Sequence, residues 1–375
     1  MPLASLNRFP VTTAAIALLF LAAVISAANS CPPSDLAALL AFKAALRESY
    51  NGGIFKSWTG TNCCRNWHGV ACDQNSGRVT EINLRAGTLY ETFEKPQRQG
   101  YMAGHISSEI CKLSSLSSIV ITDWQRISGD IPPCITSLSF LRIIDLTGNR
   151  ITGNLPADIG NLRHLSILSA ADNSITGVIP ATISSLTGLT YLDLRNNRIS
   201  GPIPNSLGQL QFLSRAFLSG NQISGPIPGS ISKMYRLVDL DLSRNKLTGP
   251  IPESLGRMPV LATLNLNTNG LSGKIPANLL GSGISDMDLS HNMLEGNIPD
   301  SFGSKSYFTT LELSYNNFKG SIPKSIASAA FIGFLDLSHN HLCGPIPKGG
   351  VFDTLDESSF AFNDCLCGKP LLKAC

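Results

Sequence analysis

The chain has 375 residues, of which 43% are hydrophobic and 15% are charged. This composition supports a large buried core and excludes an intrinsically disordered chain. The net charge is +3, from 29 Lys and Arg against 26 Asp and Glu. Such a balance argues against a nucleic-acid-binding protein that works through bulk positive charge.

The N-terminal residues have the pattern of an export signal. Arg8 supplies a positive charge, and residues 11–25 form an apolar run that is too short for a comfortable membrane span. Small residues from Ser26 to Ala28 predict cleavage after Ala28, so residues 1–28 are interpreted as a signal peptide. The sequence has neither a second apolar run of membrane-spanning length nor an apolar C-terminal tail. We therefore expect neither a transmembrane receptor nor a lipid-anchored protein.

A repeated string, I/L-S/T-G-x-I/L-P, recurs along most of the chain. Its prolines are 24 residues apart from Pro132 to Pro276, and the next step, to Pro299, is 23 residues. An alternating pattern such as Leu189-x-x-Leu192-x-Leu194 precedes the string, and it predicts a strand with apolar side chains on one face. One such turn cannot bury its apolar face alone, so stacked copies are needed to form a continuous core.

An asparagine stands three residues after the last leucine of most strands. Its side chain can hydrogen-bond backbone groups where the chain turns out of the strand, so successive asparagines are predicted to stack as a ladder inside the coil. Trp124 stands in this position in an early repeat. The column consists of Asn149, Asn173, Asn197, Asn221, Asn245, Asn269, Asn292, Asn316 and Asn340.

This pattern resembles the plant-type leucine-rich repeat, LxxLxxLxLxxNxLTGxIPxxLGxL, over residues 79–347. The resemblance implies an α/β fold: a right-handed solenoid, or horseshoe, with parallel strands on the concave side and short helices or 3₁₀ turns on the convex side. An insertion near residues 85–100 interrupts the first repeat, because Gly104 follows Leu84 by 20 residues and not by seven. Two interpretations remain open: a surface loop that the solenoid tolerates, or a binding loop near the N-terminal edge of the concave face.

Ten cysteines in an exported chain predict five disulfides. Four cysteines precede the repeats and four follow them, where a solenoid needs caps to cover its terminal turns. We predict an N-terminal disulfide cap at residues 29–78, with Ser34 capping its helix, and a C-terminal disulfide cap at residues 348–375. No Cys-x₂-Cys pair occurs and the predicted compartment is oxidising, so neither a metal nor a cofactor is expected.

The N-terminal segment resembles the cap that precedes plant extracellular leucine-rich repeats. The resemblance implies disulfides at both ends of the chain, namely Cys31–Cys63, Cys64–Cys72, Cys343–Cys365 and Cys367–Cys375. Cys111 and Cys134 lie one repeat apart on the convex side. Since neighbouring turns are ~5 Å apart, a bridge between them is within reach, but the sequence does not settle it.

Catalytic motifs are missing from the sequence. It contains no P-loop string, no G-x-S-x-G and no H-E-x-x-H, so an enzyme is not expected. His291, Tyr315 and His339 share one repeat position. The two histidines are two turns apart, about 10 Å, which is too far to share a metal ion, and all three are interpreted as exposed residues on a binding face.

The concave column between the paired leucines is mostly acidic. These residues either keep an open sheet face soluble or form a site for a basic partner, and the sequence leaves both interpretations open. Arginines nearby can partly neutralise the column, and two aromatic residues on the same face would serve as anchors. The predicted binding residues are Asp145, Tyr191, Asp193, Arg195, Phe217, Asp239, Asp241, Asp286, Asp288, Glu312 and Asp336.

By its whole layout the chain is similar to two plant groups: the polygalacturonase-inhibiting proteins and, through the segment ISSEICKLSSLSSIVITDWQRISGDIPPCI, the DNA-damage-repair/toleration proteins. The export signal, the caps, the repeats and the acidic concave column predict a non-catalytic, monomeric protein of the cell wall or apoplast that binds a protein or peptide through its concave face. An inhibitor of wall-degrading enzymes and a receptor-associated recognition module both fit. The alternative is a DNA damage toleration factor, as the name of the second group implies, although the sequence has no nucleotide site and no basic stripe.

Overall fold

The computed structural model describes residues 31–48, 53–86 and 102–375. The predicted signal peptide, residues 1–28, and most of the predicted insertion near 85–100 lie outside the described residues. Within the described part of the chain, no helix is both long enough and apolar enough to cross a membrane.

The described chain is a right-handed leucine-rich repeat solenoid with a parallel concave sheet, as the repeat pattern predicts. Twelve strands form this sheet, one from each successive turn, and only its first pair is antiparallel. The concave strands are Val70–Cys72, Val79–Arg85, Ser118–Thr122, Ile143–Asp145, Ile167–Ser169, Tyr191–Asp193, Arg215–Phe217, Asp239–Asp241, Thr263–Asn265, Asp286–Asp288, Tyr307–Glu312 and Phe331–Asp336.

A second layer of strands, which the repeat pattern does not predict, follows the asparagine turns. It is divided into a sheet of four strands and a sheet of eight strands. The first comprises Leu46–Glu48, Met102–His105, Arg126–Asp130 and Arg150–Thr152. The second comprises Ser200–Gly201, Gln222–Gly225, Lys246–Gly249, Gly270–Gly273, Met293–Asn297, Asn317–Gly320, His341–Pro345 and Cys365–Cys367.

Short helices fill the remaining side of the coil, as predicted. The α-helices among the described residues are Pro33–Ala44, Cys63–Asn66 and Ala277–Leu280. Most 3₁₀ helices directly follow the proline of the repeated string, because proline fixes φ and lacks the N–H that a first helical turn leaves unpaired. The 3₁₀ helices are Ile54–Lys56, Ser108–Lys112, Pro133–Ser137, Ile159–Asn161, Ala181–Ser185, Asn205–Gln209, Gly229–Lys233, Glu253–Arg257, Lys324–Ser328, Gly350–Asp353 and Glu357–Phe360.

The asparagine ladder is present and connects neighbouring turns. Asn221 is a typical member: its Nδ2 donates to the carbonyl oxygens of Leu194 at 2.9 Å and Leu218 at 3.1 Å. Its Oδ1 accepts from the Ile199 N–H at 3.0 Å, so one side chain joins three backbone segments. In the early repeat the indole N–H of Trp124 replaces this amide and donates to the Leu84 carbonyl at 2.9 Å.

The N-terminal helix begins one residue before the predicted cap. Ser34 lies inside the helix and its hydroxyl donates to Asp35, so the prediction that Ser34 caps the helix is wrong. Because proline is tolerated in the first turn of a helix, this helix can start at Pro33. The buried Asp35 carboxylate instead joins the cap to the first repeat, because it accepts from the Arg78 guanidinium and the Val79 N–H, both at 2.9 Å. This carboxylate raises the pKa of Arg78.

Five disulfides are present in the described chain. Four of them join the pairs that the resemblance implies, Cys31–Cys63 and Cys64–Cys72 near the N-terminus and Cys343–Cys365 and Cys367–Cys375 near the C-terminus. The fifth joins Cys111 to Cys134, the pair that the sequence left open.

The C-terminal cap continues the repeat pattern for one more turn. Asn363 donates from Nδ2 to the Leu337 and Phe360 carbonyls, both at 3.0 Å, as the ladder asparagines do. Asn363 was not predicted as a ladder residue, although the three-residue spacing from Phe360 to Asn363 repeats the Leu-to-Asn spacing of the other turns.

Candidate ligand-binding face

The predicted acidic column is one continuous row across the concave sheet. Strand register places Asp145 beside Ser169 and Ser169 beside Asp193, and the row then continues through the remaining strands. Since neighbouring strands lie ~4.8 Å apart, the carboxylates of adjacent strands are close enough to affect one another. From Asp193 onward the row runs through Phe217, Asp241, Asn265, Asp288, Glu312 and Asp336.

In three aspartates of the row, one carboxylate oxygen accepts hydrogen bonds from a residue two positions later in the chain. Oδ1 of Asp241 accepts from the Ser243 N–H at 3.0 Å and from its hydroxyl at 2.7 Å. The same oxygen of Asp288 accepts from both groups of Ser290. Asp145 does so with Thr147. One carboxylate oxygen of each residue therefore shapes the end of the strand. The second oxygen of Asp288 accepts from Nδ2 of Asn267 at 2.6 Å.

Asp193 is buried beneath the surface of the concave sheet. Only 3% of the residue is exposed, and Arg195 donates to both of its carboxylate oxygens, at 3.0 and 2.7 Å. The Tyr191 hydroxyl donates to the same carboxylate at 3.1 Å. Hydrogen bonding to Asp193 raises the pKa of Arg195, while burial and then the charge of Asp193 raise the pKa of Tyr191. We infer that Asp193, which was predicted to bind a ligand, instead orients Arg195 and Tyr191.

Tyr191 and Phe217 form the predicted aromatic pair. Their ring centroids are 5.8 Å apart in an edge-to-face arrangement, and the Arg195 guanidinium lies 4.8 Å from the centre of the Phe217 ring. Arg215, on the Phe217 strand, pairs with Asp239 on the next strand at 3.0 Å. The middle of the concave face is thus a network of aromatic rings and paired charges.

The C-terminal third of the face carries carboxylates of a different kind. Asp286, Asp288, Glu312 and Asp336 have no ion pair among the residues that the structure describes. Burial raises the pKa of Glu312, and the charges of Asp288, Asp336 and Asp286 raise it further. Burial and the charge of Asp288 likewise raise the pKa of Asp286. We call these four residues the acidic patch.

An aromatic stack borders the acidic patch along the ends of the strands. The His291 and Tyr315 rings stack with their centroids 4.1 Å apart, and Tyr315 and His339 stack at 3.9 Å. Phe362 of the C-terminal cap continues the stack onto His339 at 4.3 Å. His291, Tyr315 and His339 share one repeat position in the sequence, whereas Phe362 was not predicted to join them. We call these four rings the aromatic ladder.

Models of known families match the chain at several places. The model of the leucine rich repeat N-terminal domain matches residues 32–73. The leucine rich repeat models match residues 139–199, 163–223, 236–258, 284–304 and 307–329. The chain is therefore a leucine-rich repeat protein.

Two curated plant proteins are similar to parts of the chain. The DNA damage-repair/toleration protein DRT100 of Arabidopsis thaliana is 51% identical over 135 residues, which are 36% of either chain. A polygalacturonase inhibitor of Vitis vinifera is 32% identical over 122 residues, 32% of either chain. The aligned region thus spans about a third of each of these relatives.

Two solved structures are similar to the whole fold. One is the leucine-rich repeat ectodomain of the Arabidopsis thaliana receptor kinase GASSHO1/SCHENGEN3 in complex with CASPARIAN STRIP INTEGRITY FACTOR 2. It has 30% identity and a TM-score of 0.74, and the match covers 84% of this chain and 36% of that one. The other is a plant ice-binding protein with 28% identity and a TM-score of 0.66, and the match covers 92% of this chain and 98% of that one.

Proposed function

We propose that the chain is an extracellular, non-catalytic recognition protein that binds a basic protein or peptide on the C-terminal third of its concave face. The observation that carries the proposal is the acidic patch, whose carboxylates lie side by side and form no ion pair within the described part of the chain. Placing such groups together costs free energy unless a partner neutralises them. The five disulfides support an oxidising compartment such as the cell wall or apoplast.

The similar proteins support this class of function. The GASSHO1/SCHENGEN3 ectodomain was solved with a bound factor, and polygalacturonase inhibitors are named for acting on another protein. For this chain, both an inhibitor of a wall-degrading enzyme and a receptor-associated module stay within the proposal. We expect the protein to act as a monomer, because the repeats bury their own core and both ends are capped.

A direct role on DNA is the weaker candidate. The DRT100 name motivates it, but the acidic patch repels a phosphate backbone, and protein–DNA affinity depends mainly on contacts between cations and phosphates. Titration of the purified protein with duplex and single-stranded DNA at low and physiological salt tests this candidate. Tight, salt-dependent binding would favour it over the extracellular proposal.

The main proposal is tested by capture of cell-wall and apoplastic proteins on the immobilised chain. The variant Asp286→Asn, Asp288→Asn, Glu312→Gln removes three charges from the patch and should lose the captured partner. The control Glu253→Gln, Glu295→Gln, Glu357→Gln changes net charge equally at exposed positions elsewhere. Equal capture by the wild type and the patch variant would contradict the proposal.

Ice binding is a second candidate, and a feature of the outer surface favours it. Serine or threonine occupies one position in seven successive repeats, beside strands that repeat about every 4.8 Å. The similar plant ice-binding protein matches this chain over nearly its full length. The hydroxyl residues are Ser128, Thr152, Thr176, Ser200, Ser224, Thr248 and Ser272.

An ice-recrystallisation assay distinguishes ice binding from the main proposal of protein or peptide recognition. If the hydroxyl row binds ice, tyrosines at the exposed positions Thr152, Thr176 and Thr248 should abolish inhibition of recrystallisation, because bulky rings break a flat array. The acidic-patch variant serves as the control with an unchanged outer surface. Crystal growth in the presence of wild-type protein equal to that in buffer would remove this candidate.

A further inference from the structure

Exposed aromatic side chains flank the acidic patch on two sides. The aromatic ladder runs past one end of the strands and ends at Phe362, which is 75% exposed. At the start of the last two of these strands, the exposed rings of Tyr307 and Phe331 stack at 5.0 Å. Phe334 is exposed on the concave face itself.

A second aromatic group consists of Tyr307, Phe331 and Phe334, and its Phe331 ring reaches over the sheet. A Cβ atom added at Gly333 would lie 3.1 Å from Cε1 of Phe331, so this ring packs across a strand position that has no side chain. Register places Phe334 beside Thr310 and Asp336 beside Glu312, so aromatic and acidic residues occupy neighbouring rows. The rows of carboxylates thus lie between two groups of rings.

The fold does not require aromatic residues in the ladder. All four ladder residues have positive φ, between 52° and 57°, a conformation that is rare for bulky side chains. The same positive φ recurs at this position in other turns, which hold Gly148, Asp172, Asn196, Gly220, Arg244 and Thr268, so the turn accepts side chains of very different kinds. The turn therefore imposes the backbone conformation, but it does not demand an aromatic side chain at these four positions.

We propose that the aromatic ladder, the group Tyr307, Phe331 and Phe334, and the carboxylates between them form one docking surface for an extended, arginine-bearing peptide segment. This inference rests on the proposed function and names the chemistry of the partner. Charge complementarity selects a basic segment. The aromatic borders select arginine over lysine, because a guanidinium pairs with a carboxylate in two-point geometry and also stacks on rings.

The peptide is expected to cross the strands along the solenoid axis. Asp288, Glu312 and Asp336 span three neighbouring strands, or about 10 Å. Alternate residues of an extended chain are ~7 Å apart, so two arginines separated by one residue can reach this row. The remaining side chains of such a segment would point away from the sheet.

The test uses the full disulfide-bonded chain and three fluorescein-labelled peptides of the form Gly-Ser-X-Ser-X-Ser-Gly. X is arginine in the first, lysine in the second and citrulline, a neutral analogue of arginine, in the third. We expect fluorescence anisotropy to show the highest affinity for the arginine peptide, a lower affinity for the lysine peptide and the lowest affinity for the citrulline peptide. Equal affinity for the arginine and citrulline peptides, or no binding of either, would overturn the inference.

The ladder is tested with the variant His291→Asn, Tyr315→Asn, His339→Asn. Asparagine already occupies the equivalent position at Asn196, so this variant should keep the fold. We expect about tenfold weaker binding of the arginine peptide, since each stacked guanidinium contact is worth a few-fold at an exposed site. The matched control, Phe140→Ser with Phe212→Ser, removes exposed rings far from the patch and should bind as the wild type does.

The charge variant Glu312→Gln with Asp336→Asn separates this inference from the proposed function. Loss of binding in both the charge variant and the ladder variant supports the docking surface. Loss in the charge variant alone keeps the proposed function but overturns the aromatic part. Unchanged binding in both variants overturns the docking surface, and capture experiments with the patch variant then decide the proposed function independently.

Discussion

Phe362 of the C-terminal cap stacks on His339 of the last repeat, with ring centroids 4.3 Å apart. The cap is therefore joined to the solenoid in three ways: by this stack, by the hydrogen bonds of Asn363 and by the Cys343–Cys365 disulfide. These links continue the same columns that organise the interior repeats. The cap behaves structurally as one more turn of the coil.

Removal of the Cys343–Cys365 disulfide should loosen the cap without unfolding the central repeats. The bond closes a segment of 22 residues, for which loop entropy predicts a loss of about 3 kcal/mol. We expect Cys343→Ala with Cys365→Ala to increase amide hydrogen exchange in residues 341–375 first. Protection around Leu192 should stay at the wild-type level, and uniform loss of protection along the chain would contradict local opening.

Asn221→Ala should destabilise the interior of the coil. The substitution leaves buried backbone groups of two neighbouring turns, those of Leu194, Ile199 and Leu218, without a partner, at a cost of about 3 kcal/mol. The control Asn205→Ala removes an exposed asparagine at the start of the 3₁₀ helix Asn205–Gln209 and should change stability by less than about 0.5 kcal/mol. Urea denaturation followed by circular dichroism measures the stability of both variants. A midpoint of Asn221→Ala equal to that of the wild type would contradict a structural role for the ladder.

The sequence was sufficient to predict the concave sheet and the ladder because each repeat places the same side chains in the same environment. The outer strands were missed for a physical reason. Segments such as Ser200–Gly201 are short, polar and rich in glycine, and they pair only because the stacked turns bring them into register. Phe362 and Asn363 were missed because they follow the last repeated string.

The position of the candidate face was predictable from the sequence, but which of its carboxylates are neutralised was not. Strand register follows from the period, so the acidic column could be located from sequence. Which carboxylates are neutralised depends on side-chain direction: Arg195 turns back to Asp193, two residues earlier, whereas Arg215 reaches Asp239 on the next strand. Sequence spacing does not distinguish these two outcomes.

The pair of Arg195 and Asp193 provides a test of this network. Arg195→Met leaves a buried carboxylate without its cationic partner and should cost about 2 kcal/mol, less than a fully buried pair because the arginine is partly exposed. Adding Asp193→Asn removes the unpaired charge and should restore part of the loss. A double-mutant cycle by urea denaturation measures the coupling, and additive effects of the two substitutions would contradict it.

The raised pKa of Glu312 predicts a stability difference that depends on pH. A pKa that is higher in the folded chain means that the folded state binds this proton more readily than the unfolded state does. The ionised group therefore costs stability at neutral pH, and the cost disappears as the pH falls below its ordinary, unfolded-state pKa. Glu312→Gln should stabilise the chain at pH 7, by less than about 1 kcal/mol because solvent screens this partly exposed side chain.

Urea midpoints of Glu312→Gln and the wild type at pH 7 and near pH 3 test this sign. The difference between the two proteins should be largest at pH 7 and should vanish at the acidic end, where the wild-type carboxyl is protonated. Glu253→Gln, at an exposed position, is the matched control and should show no comparable stabilisation at pH 7. A Glu312→Gln protein that is less stable than the wild type at pH 7 would mean that a cation neutralises this carboxylate in solution.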